Sequence, residues 1–320
     1  MSKMIVFGDE HVRQEQPFFN AKEDYFNWVL DQPWNNEENS MLQVGDLFHR
    51  NIPTPLEVGL VVDFLVRCKF KQIIIMAGNG SHEFNRAKGS YAIDCLNSMP
   101  RVTTVYKPTE LKIKEILILL LPWIPDHHYD DIETMKKLYE NLPKSFKEHA
   151  YDYIFGHFAC KTFFDSEINI DYLTGKRRMG HIHIPDETYI GVNTITRSDE
   201  KGLECNLNCI ELVTGEEELI PIPSFIDYYI VKYSEDIPED HVKYPILEIY
   251  DAPSDEEAEE RYSEYHIHSI KLLNNKQLGT GSNSESTSLS LIDHMNNFIL
   301  DRDIEKSVAI ILRDKIREIE

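Results

Sequence analysis

Met41-Leu42-Gln43-Val44-Gly45-Asp46-Leu47-Phe48-His49 is the stretch on which the reading of this chain turns. A short apolar run ends at a glycine, and a residue able to bind a metal follows at once. The same grammar recurs. Met4–Phe7 leads into Gly8-Asp9-Glu10-His11, Ile73–Ala77 into Gly78-Asn79, and Tyr153–Phe155 into Gly156-His157, while Gly180-His181-Ile182-His183 repeats the glycine and its ligands. These runs, with Ile116–Leu121, are short, rich in β-branched and aromatic residues and bounded by Gly or Pro, so they read as buried strands. Between them Ala21–Leu30 and Leu56–Cys68 carry helical spacing. The second has a complete start signal, with Thr54 as N-cap, Pro55 at the first helical position and Glu57 closing a capping box. Strands alternating with helices predict an α/β core.

The chain has 320 residues, roughly two domains' worth, and its 42% hydrophobic and 28% charged content is enough to bury a core. Lys and Arg number 33 against 55 Asp and Glu, a formal net charge of -22. That excludes a protein coating nucleic acid through its own cationic surface. Nucleic acid stays open as a substrate, because bound divalent cations reverse the sign locally. The five cysteines are scattered without zinc-knuckle spacing, Cys205 and Cys209 being a weak pair, which predicts reduced thiols in a cytosolic protein. No signal peptide is read at the start, and Ile116–Pro125, the most apolar stretch, is too short to span a bilayer. A cytoplasmic protein with no membrane contact is expected.

Ile220-Pro221-Ile222-Pro223 marks the end of the core, which is taken as residues 1–222. Residues 223–275 predict a small βαβ-like unit: strand Tyr244–Tyr250, acidic helix Ser254–Tyr265, strand His266–Leu273. Residues 276–288 have the composition of a flexible linker. Residues 289–320 predict two amphipathic helices, one with Leu291, Ile292, Met295, Phe298 and Ile299 on a face, the other with Ile304, Val308, Ile311 and Ile319. Helices this short need a surface for their apolar faces, either the protein's own core or a partner.

The chemistry-bearing residues are Asp9, His11, Asp46, Asn79, His157, His181 and His183. In open α/β sheets ligands gather beyond the carboxyl ends of the strands, so these residues are expected on one rim. Glycine before each lets the backbone approach an ion without a clashing Cβ. Two Asp, one Asn and four His are too many ligands for one ion and suit two ions sharing a carboxylate. Without thiolates the set points to Mn, Fe or Zn. A lone Gly-Asp is usually a turn and a lone His a satisfied polar residue. That plainer reading is kept for His127, His128, His149, His241, His266, His268 and His294, but the other six of the thirteen histidines fall in or beside the ordered motifs.

In this order the motifs resemble those of the calcineurin-like metallophosphoesterases, over roughly residues 5 to 183. His49, three positions after Asp46, narrows the likeness, as do Leu121-Pro122-Trp123, Tyr189-Ile190-Gly191 and the layout of core, cap, linker and terminal helices. Together they resemble the SbcD-type nuclease subunit of DNA break-repair complexes, and the short cap looks most like bacteriophage versions. The resemblance implies an α/β fold: a metallophosphoesterase β-sandwich core flanked by helices, with a small α/β cap and C-terminal helices. It implies two divalent ions, Mn2+ foremost, with Mg2+, Fe2+ or Zn2+ as alternatives. Asp9, His11 and His183 would hold one ion; Asn79, His157 and His181 would hold the other, with Asp46 bridging. His49 and His82 would face the scissile phosphate, steering it or protonating the leaving oxygen. The implied activity is exonuclease and endonuclease cleavage of DNA by a metal-activated water. The implied partners are an SbcC-type coiled-coil ATPase gripped by residues 289–320 and a second copy of the chain. A bacteriophage protein of this kind would work in the host cytoplasm.

Two departures from the family pattern stand out. The family runs Gly-Asn-His without a break, whereas this chain reads Gly78-Asn79-Gly80-Ser81-His82-Glu83. Either two residues are inserted after Asn79, or Ser81 replaces the Asn; the phase of the preceding strand favours Asn79. After the last His pair, Gly191–Arg197 stands where relatives carry a Pro-containing turn, with Arg197 a candidate phosphate contact. Lys176-Arg177-Arg178 is the best basic cluster, a DNA grip or a solvated turn. The chain has no P-loop, so energy for duplex opening would come from the partner. Two other functions fit the same residues: a phosphodiesterase or phosphatase on a non-DNA substrate, since fold does not fix substrate, and a scaffold with a degenerate metal site.

Overall fold

A computed structural model of the chain describes residues 2–124, 131–160 and 168–272. His127, His128, His294, the 276–288 linker and the 289–320 helices lie outside the described residues. The described residues all fall within a compact unit, Met1–Leu273, and form a mixed α/β structure with several sheets and few helices.

The first sheet has the order β12 (Glu217–Pro221), β11 (Asn206–Glu211), β1 (Lys3–Phe7), β2 (Ser40–Gln43), β3 (Gln72–Met76), β6 (Val102–Val105). Its strands β1, β2, β3 and β6 run parallel, and β11 joins β1 antiparallel. The second has the order β10 (Thr174–Gly180), β9 (Ala150–His157), β8 (Ile116–Leu121), β7 (Thr109–Ile113). The apolar runs are continuous because the central strands are buried on both faces. With a side-chain period of two, Met4, Val6, Leu42 and Ile74 meet Ile118, Leu120, Tyr153 and Phe155 of the second sheet in one apolar cluster. Ile5, Phe7, Met41, Ile73 and Ile75 face the other way, onto helices α1 (Phe18–Asp31) and α2 (Pro55–Arg67). On the far side of the second sheet Leu119, Leu121 and Ile154 pack with Met135 and Tyr139 of α4 (Asp131–Glu140). Helix, sheet, sheet and helix thus alternate through the core.

A separate sheet of three parallel strands follows: β13 (Ile226–Lys232), β14 (Tyr244–Ala252) and β15 (His266–Leu272). The acidic helix between the last two is shorter than its sequence suggests, Asp255–Arg261 instead of Ser254–Tyr265. Ser254 is its N-cap, accepting from the Glu257 N–H, and Tyr262 leaves the helix to send its hydroxyl to the Glu235 carbonyl at 2.8 Å. Two small elements complete the core, a one-turn helix α3 (Gly80–Glu83) and the hairpin β4 (Phe84–Asn85) with β5 (Ser90–Tyr91). Among the described residues no helix is long and apolar enough to cross a membrane.

The start signal of α2 forms as read. The Thr54 hydroxyl accepts from the Glu57 N–H, and the Glu57 carboxylate accepts from the Thr54 N–H at 2.6 Å. Glu57 is fully buried and also accepts from the Gln14 N–H at 2.9 Å, so this cap fastens the loop after the first motif. Thr54→Ala is expected to cost about 1 kcal/mol of stability. Urea unfolding with an unchanged slope but a lower midpoint is the readout; an unmoved midpoint would contradict it.

Candidate metal centre

Strands β1, β2 and β3 end side by side, in the register Phe7 opposite Gln43 and Gln43 opposite Ile75. Gly180 of β10 lies opposite His157 of β9. Asp9, Asp46, Asn79, His157, His181 and His183 therefore emerge at one rim. Two glycines show why side chains are excluded there. A Cβ on Gly78 would sit 2.1 Å from Asp46 N and Oδ1, and one on Gly45, whose φ is +106°, would sit 2.3 Å from His157 Nδ1. Three other residues at the rim hold left-handed backbone, His11 (φ 45°), Asp46 (φ 52°) and His181 (φ 77°), half of the six non-glycine cases among the described residues. Such conformations cost free energy and gather where a site demands them.

Three overlapping groups bring ligand atoms within 4.8 Å of one another: Asp9, Asp46 and His157; Asp9, His11 and His183; His11, His49 and His82. His157 Nε2 lies 3.2 Å from Asp46 Oδ2, and His157 Nδ1 lies 3.6 Å from Asp9 Oδ1. His11 Nε2 is 3.8 Å from Asp46 Oδ2 and 3.0 Å from His183 Nε2, which is 3.5 Å from Asp9 Oδ2. Asp9, Asp46, His11 and His157 are all at most 4% exposed. The donor set fits a cation. Asp9 Oδ1, His157 Nε2 and His11 Nδ1 are buried with no hydrogen-bond partner, a state that buried polar atoms rarely tolerate. His157 Nδ1 donates to the Val44 carbonyl at 2.8 Å and His183 Nδ1 to Glu200 Oε1, which leaves each Nε2 as the ligand atom.

Two buried carboxylates that sequence reading did not single out hold this frame. Glu200 accepts from His183 and also from the Thr196 N–H at 2.6 Å and the Arg197 N–H at 3.1 Å. Glu83 accepts from the Leu47 N–H at 2.7 Å and the Gly78 N–H at 2.6 Å, tying the loop after β2 to the loop after β3. Glu83 had one available signal, its place directly after His82; Glu200 had none beyond an acidic pair in a short turn.

The interrupted third motif resolves into a capped helical turn. Gly80 and Ser81 open α3, Asn79 is its N-cap, and His82 is carried back to the rim, its ring 4.6 Å from that of His11 and 5.3 Å from that of His49. His82 Nδ1 lies 2.6 Å from the His49 carbonyl. Ser81 is exposed, with its hydroxyl turned to Asn79 Oδ1, so the register with Ser81 as ligand is not the one adopted. Asn79 meets Asp46 through donors: Nδ2 at 2.9 Å from Oδ2 and the backbone N–H at 2.8 Å from Oδ1. Its carbonyl oxygen, the atom a metal would use, accepts instead from the Ser81 and His82 N–H groups. His181 likewise enters through its backbone N–H, 2.8 Å from Asp9 Oδ2. Its ring packs 5.5 Å from that of His157 and 5.7 Å from that of Trp123, outside the three groups. Of the set assigned to a second ion, Asp46 and His157 face each other, while Asn79 and His181 buttress them.

The basic residues are largely spoken for. Arg178 forms a two-pronged pair with Glu217 at 2.6 and 2.8 Å, Lys176 binds the same carboxylate, and Arg177 pairs with Asp171 at 2.7 Å. Lys176-Arg177-Arg178 is thus an edge strand neutralised by its neighbours. Arg197 is exposed and its guanidinium pairs with Asp199 at 3.0 Å.

Burial dominates the electrostatics. It pushes the Asp9 carboxyl up to about 6, against the pull of His157 and His183. At Asp46 burial acts in the same direction, but the imidazoles of His157, His82 and His11 outweigh it and hold the carboxyl below the usual range. His157 is opposed by burial, yet Asp46 and Asp9 raise it to about 10. Burial lowers His49 to about 4, helped by Arg13 and His82, and lowers His181 to about 3, helped by His157.

No protein-family model matches this sequence, and no curated protein matches it. Among solved structures, a protein of unknown function from Aquifex aeolicus is similar at 13% identity, covering 55% of this chain and 88% of its own, with a TM-score of 0.29.

Two expectations follow from the geometry. His157 carries a proton at pH 7 that a metal must displace, and Asp9 becomes a carboxylate only above about 6. Mn2+ uptake near neutrality is therefore expected to release about one proton and to tighten as pH rises. Calorimetry in buffers of different ionisation heat measures this; uptake without proton release would refute it. Glu200→Ala frees the His183 ring to turn and is expected to weaken Mn2+ binding by about ten- to a hundredfold, with an unchanged isotherm as the contrary result.

Proposed function

We propose that the chain is a metal-dependent phosphodiesterase that cleaves DNA, the nuclease subunit of an SbcCD-like recombination and repair complex with a calcineurin-like metallophosphoesterase core. One observation carries this reading: Asp9, His11, Asp46, His157 and His183, dispersed over the sequence, present ligand atoms within 4.8 Å of one another in overlapping groups, at the rim where strands of two packed sheets end. When bound there, two divalent ions, Mn2+ or else Mg2+, Fe2+ or Zn2+, would polarise the phosphodiester and lower the pKa of the attacking water.

The chain's own residues set the rest. Asp46 would serve both ions, with Asp9, His11 and His183 on one side and His157 on the other. His49, held neutral at pH 7 by burial and by the Arg13 charge, suits orientation of the phosphate more than donation of a proton. His82, whose Nδ1 is anchored on the His49 carbonyl, leaves its Nε2 side for the leaving oxygen. The strong acidity of the chain, -22 overall, supports dependence on metals and on a partner ATPase for firm DNA engagement. That partner would dock on residues 289–320, and pairing of two copies would complete the assembly in the cytoplasm.

Asn79 favours a second reading. With its carbonyl oxygen committed to capping α3, one ion position is short of a ligand, as a scaffold with a degenerate site would be. Elemental analysis and turnover decide between them. Two Mn2+ per chain are expected, with cleavage of an oligonucleotide that chelation stops and Asp46→Ala brings to background. One ion or none, with no cleavage, means the scaffold. Faster turnover of a cyclic nucleotide or phosphopeptide than of DNA means a phosphoesterase of another class.

A further inference from the structure

Arg13 differs from the other cations near the rim. Lys22 pairs with Glu10 at 2.5 Å, Arg50 with Glu15 and Glu57, and Arg178 with Glu217. Among the described residues no carboxylate oxygen lies within ion-pair distance of Arg13. Its Nη2 donates to the Thr196 carbonyl at 2.6 Å, its guanidinium lies 3.2 Å above the centre of the Phe18 ring, and its buried Nε has no partner. The residue is half-buried. Glu15 and Glu200 act on this charge only from beyond ion-pair distance and Tyr228 adds a hydrogen bond, so the guanidinium has no direct carboxylate partner.

Its place in the fold is beside His49. Val12 pairs with Phe48, and its carbonyl accepts the His49 N–H at 3.0 Å, so Arg13 is the next residue outward from His49 along the rim. The charge is felt there, since it helps depress His49. Beyond Arg13 the rim continues into aromatic rings. Phe18 lies edge-on to His266 at 6.4 Å, and buried Tyr228 lies edge-on to His268 at 5.4 Å. Both histidines belong to β15 of the three-stranded sheet and are exposed. A cation followed by rings is how proteins track a nucleic-acid strand, phosphate by charge and base by stacking.

We propose that Arg13 is a substrate-binding residue whose guanidinium receives the phosphate next to the scissile one in a single DNA strand. The inference rests on the phosphodiesterase reading for the meaning of scissile, but not for the binding itself. A planar guanidinium held by stacking on Phe18 and by the Thr196 carbonyl is preorganised for a phosphate, where an ammonium would be only a point charge. The contact adds one phosphate to the footprint beyond the ions.

Two measurements on the full chain test it. In the first, binding of a fluorescent oligothymidine is followed by anisotropy in chelator across a series of KCl concentrations. Arg13→Gln is expected to weaken binding about tenfold, and to reduce the slope of log K against log salt by about one ion; Arg13→Lys recovers the slope and part of the affinity. In the second, Mn2+-dependent cleavage of the same oligonucleotide is expected to show KM raised about tenfold in Arg13→Gln with kcat and Mn2+ content within twofold of the parent. Equal binding and equal slope for parent and Arg13→Gln would overturn the proposal. So would a loss of Mn2+ in both variants, because Arg13 would then act only through Thr196 and Glu200 on His183. If the parent cleaves nothing, yet Arg13→Gln still weakens binding and flattens the slope, the nuclease reading fails and the Arg13 contact stands.

Discussion

Asp46 and His157 meet 3.2 Å apart with almost no exposure to water, and most of the rim's architecture is the condition for that meeting. Two ionisable groups buried together survive only if the surroundings answer both charges. The backbone answers first. Asp46 adopts left-handed φ, Gly45 and Gly78 clear the space a Cβ would fill, and Asn79 turns two N–H donors onto the carboxylate. The Val44 carbonyl answers for His157. Since Val44 follows β2 in the first sheet and His157 ends β9 in the second, this polar contact lies over the seam that Met4, Leu42, Ile118 and Phe155 close with apolar side chains.

What the sequence made legible follows from burial. Strands buried on both faces must be apolar throughout, so β1, β2, β3 and β8 are visible as short runs, and α2 announces itself through Thr54, Pro55 and Glu57. Strands at edges obey a weaker rule. β10 reads Thr174-Gly-Lys-Arg-Arg-Met-Gly and is half exposed, so its order comes from pairing with β9 and from Glu217, a residue some forty positions away. β13, the edge strand beside β14, carries strand-forming residues (Ile226, Tyr228, Tyr229, Ile230, Val231) that the reading of the small unit passes over. At the site, glycine-then-ligand is a local signal and picks out every residue of the central pair. The partners of the ligands carry no such mark. Glu200 becomes a support for His183 only when a short turn folds under it, and a carboxylate used that way looks in sequence like any other acid.

The net charge of -22 takes on a structure of its own. Part of the acid lies inside the core as acceptors for backbone N–H groups, as with Glu57, Glu83 and Glu200, where it organises loops and presents little field to solvent. Part neutralises the basic residues of β10. Another portion is concentrated on the helix Asp255–Arg261, whose first turn carries Asp255, Glu256 and Glu257 beside the positive end of its dipole. A polyanion approaching the chain therefore meets net repulsion from this acid.

The Lys22–Glu10 pair joins two parts of the molecule that the sheets leave separate. Glu10 sits between Asp9 and His11, buried, and takes the Lys22 ammonium at 2.5 Å and the Tyr25 hydroxyl at 3.3 Å from α1. Two residues along the same helix, Asp24 receives Lys243 at 2.5 Å and the Tyr244 hydroxyl at 2.8 Å from the start of β14. Helix α1 is thus a crank with one pin in the ligand loop and the other in the three-stranded sheet. The residue between two candidate ligands and the start of that sheet are tied to positions two residues apart on one helix.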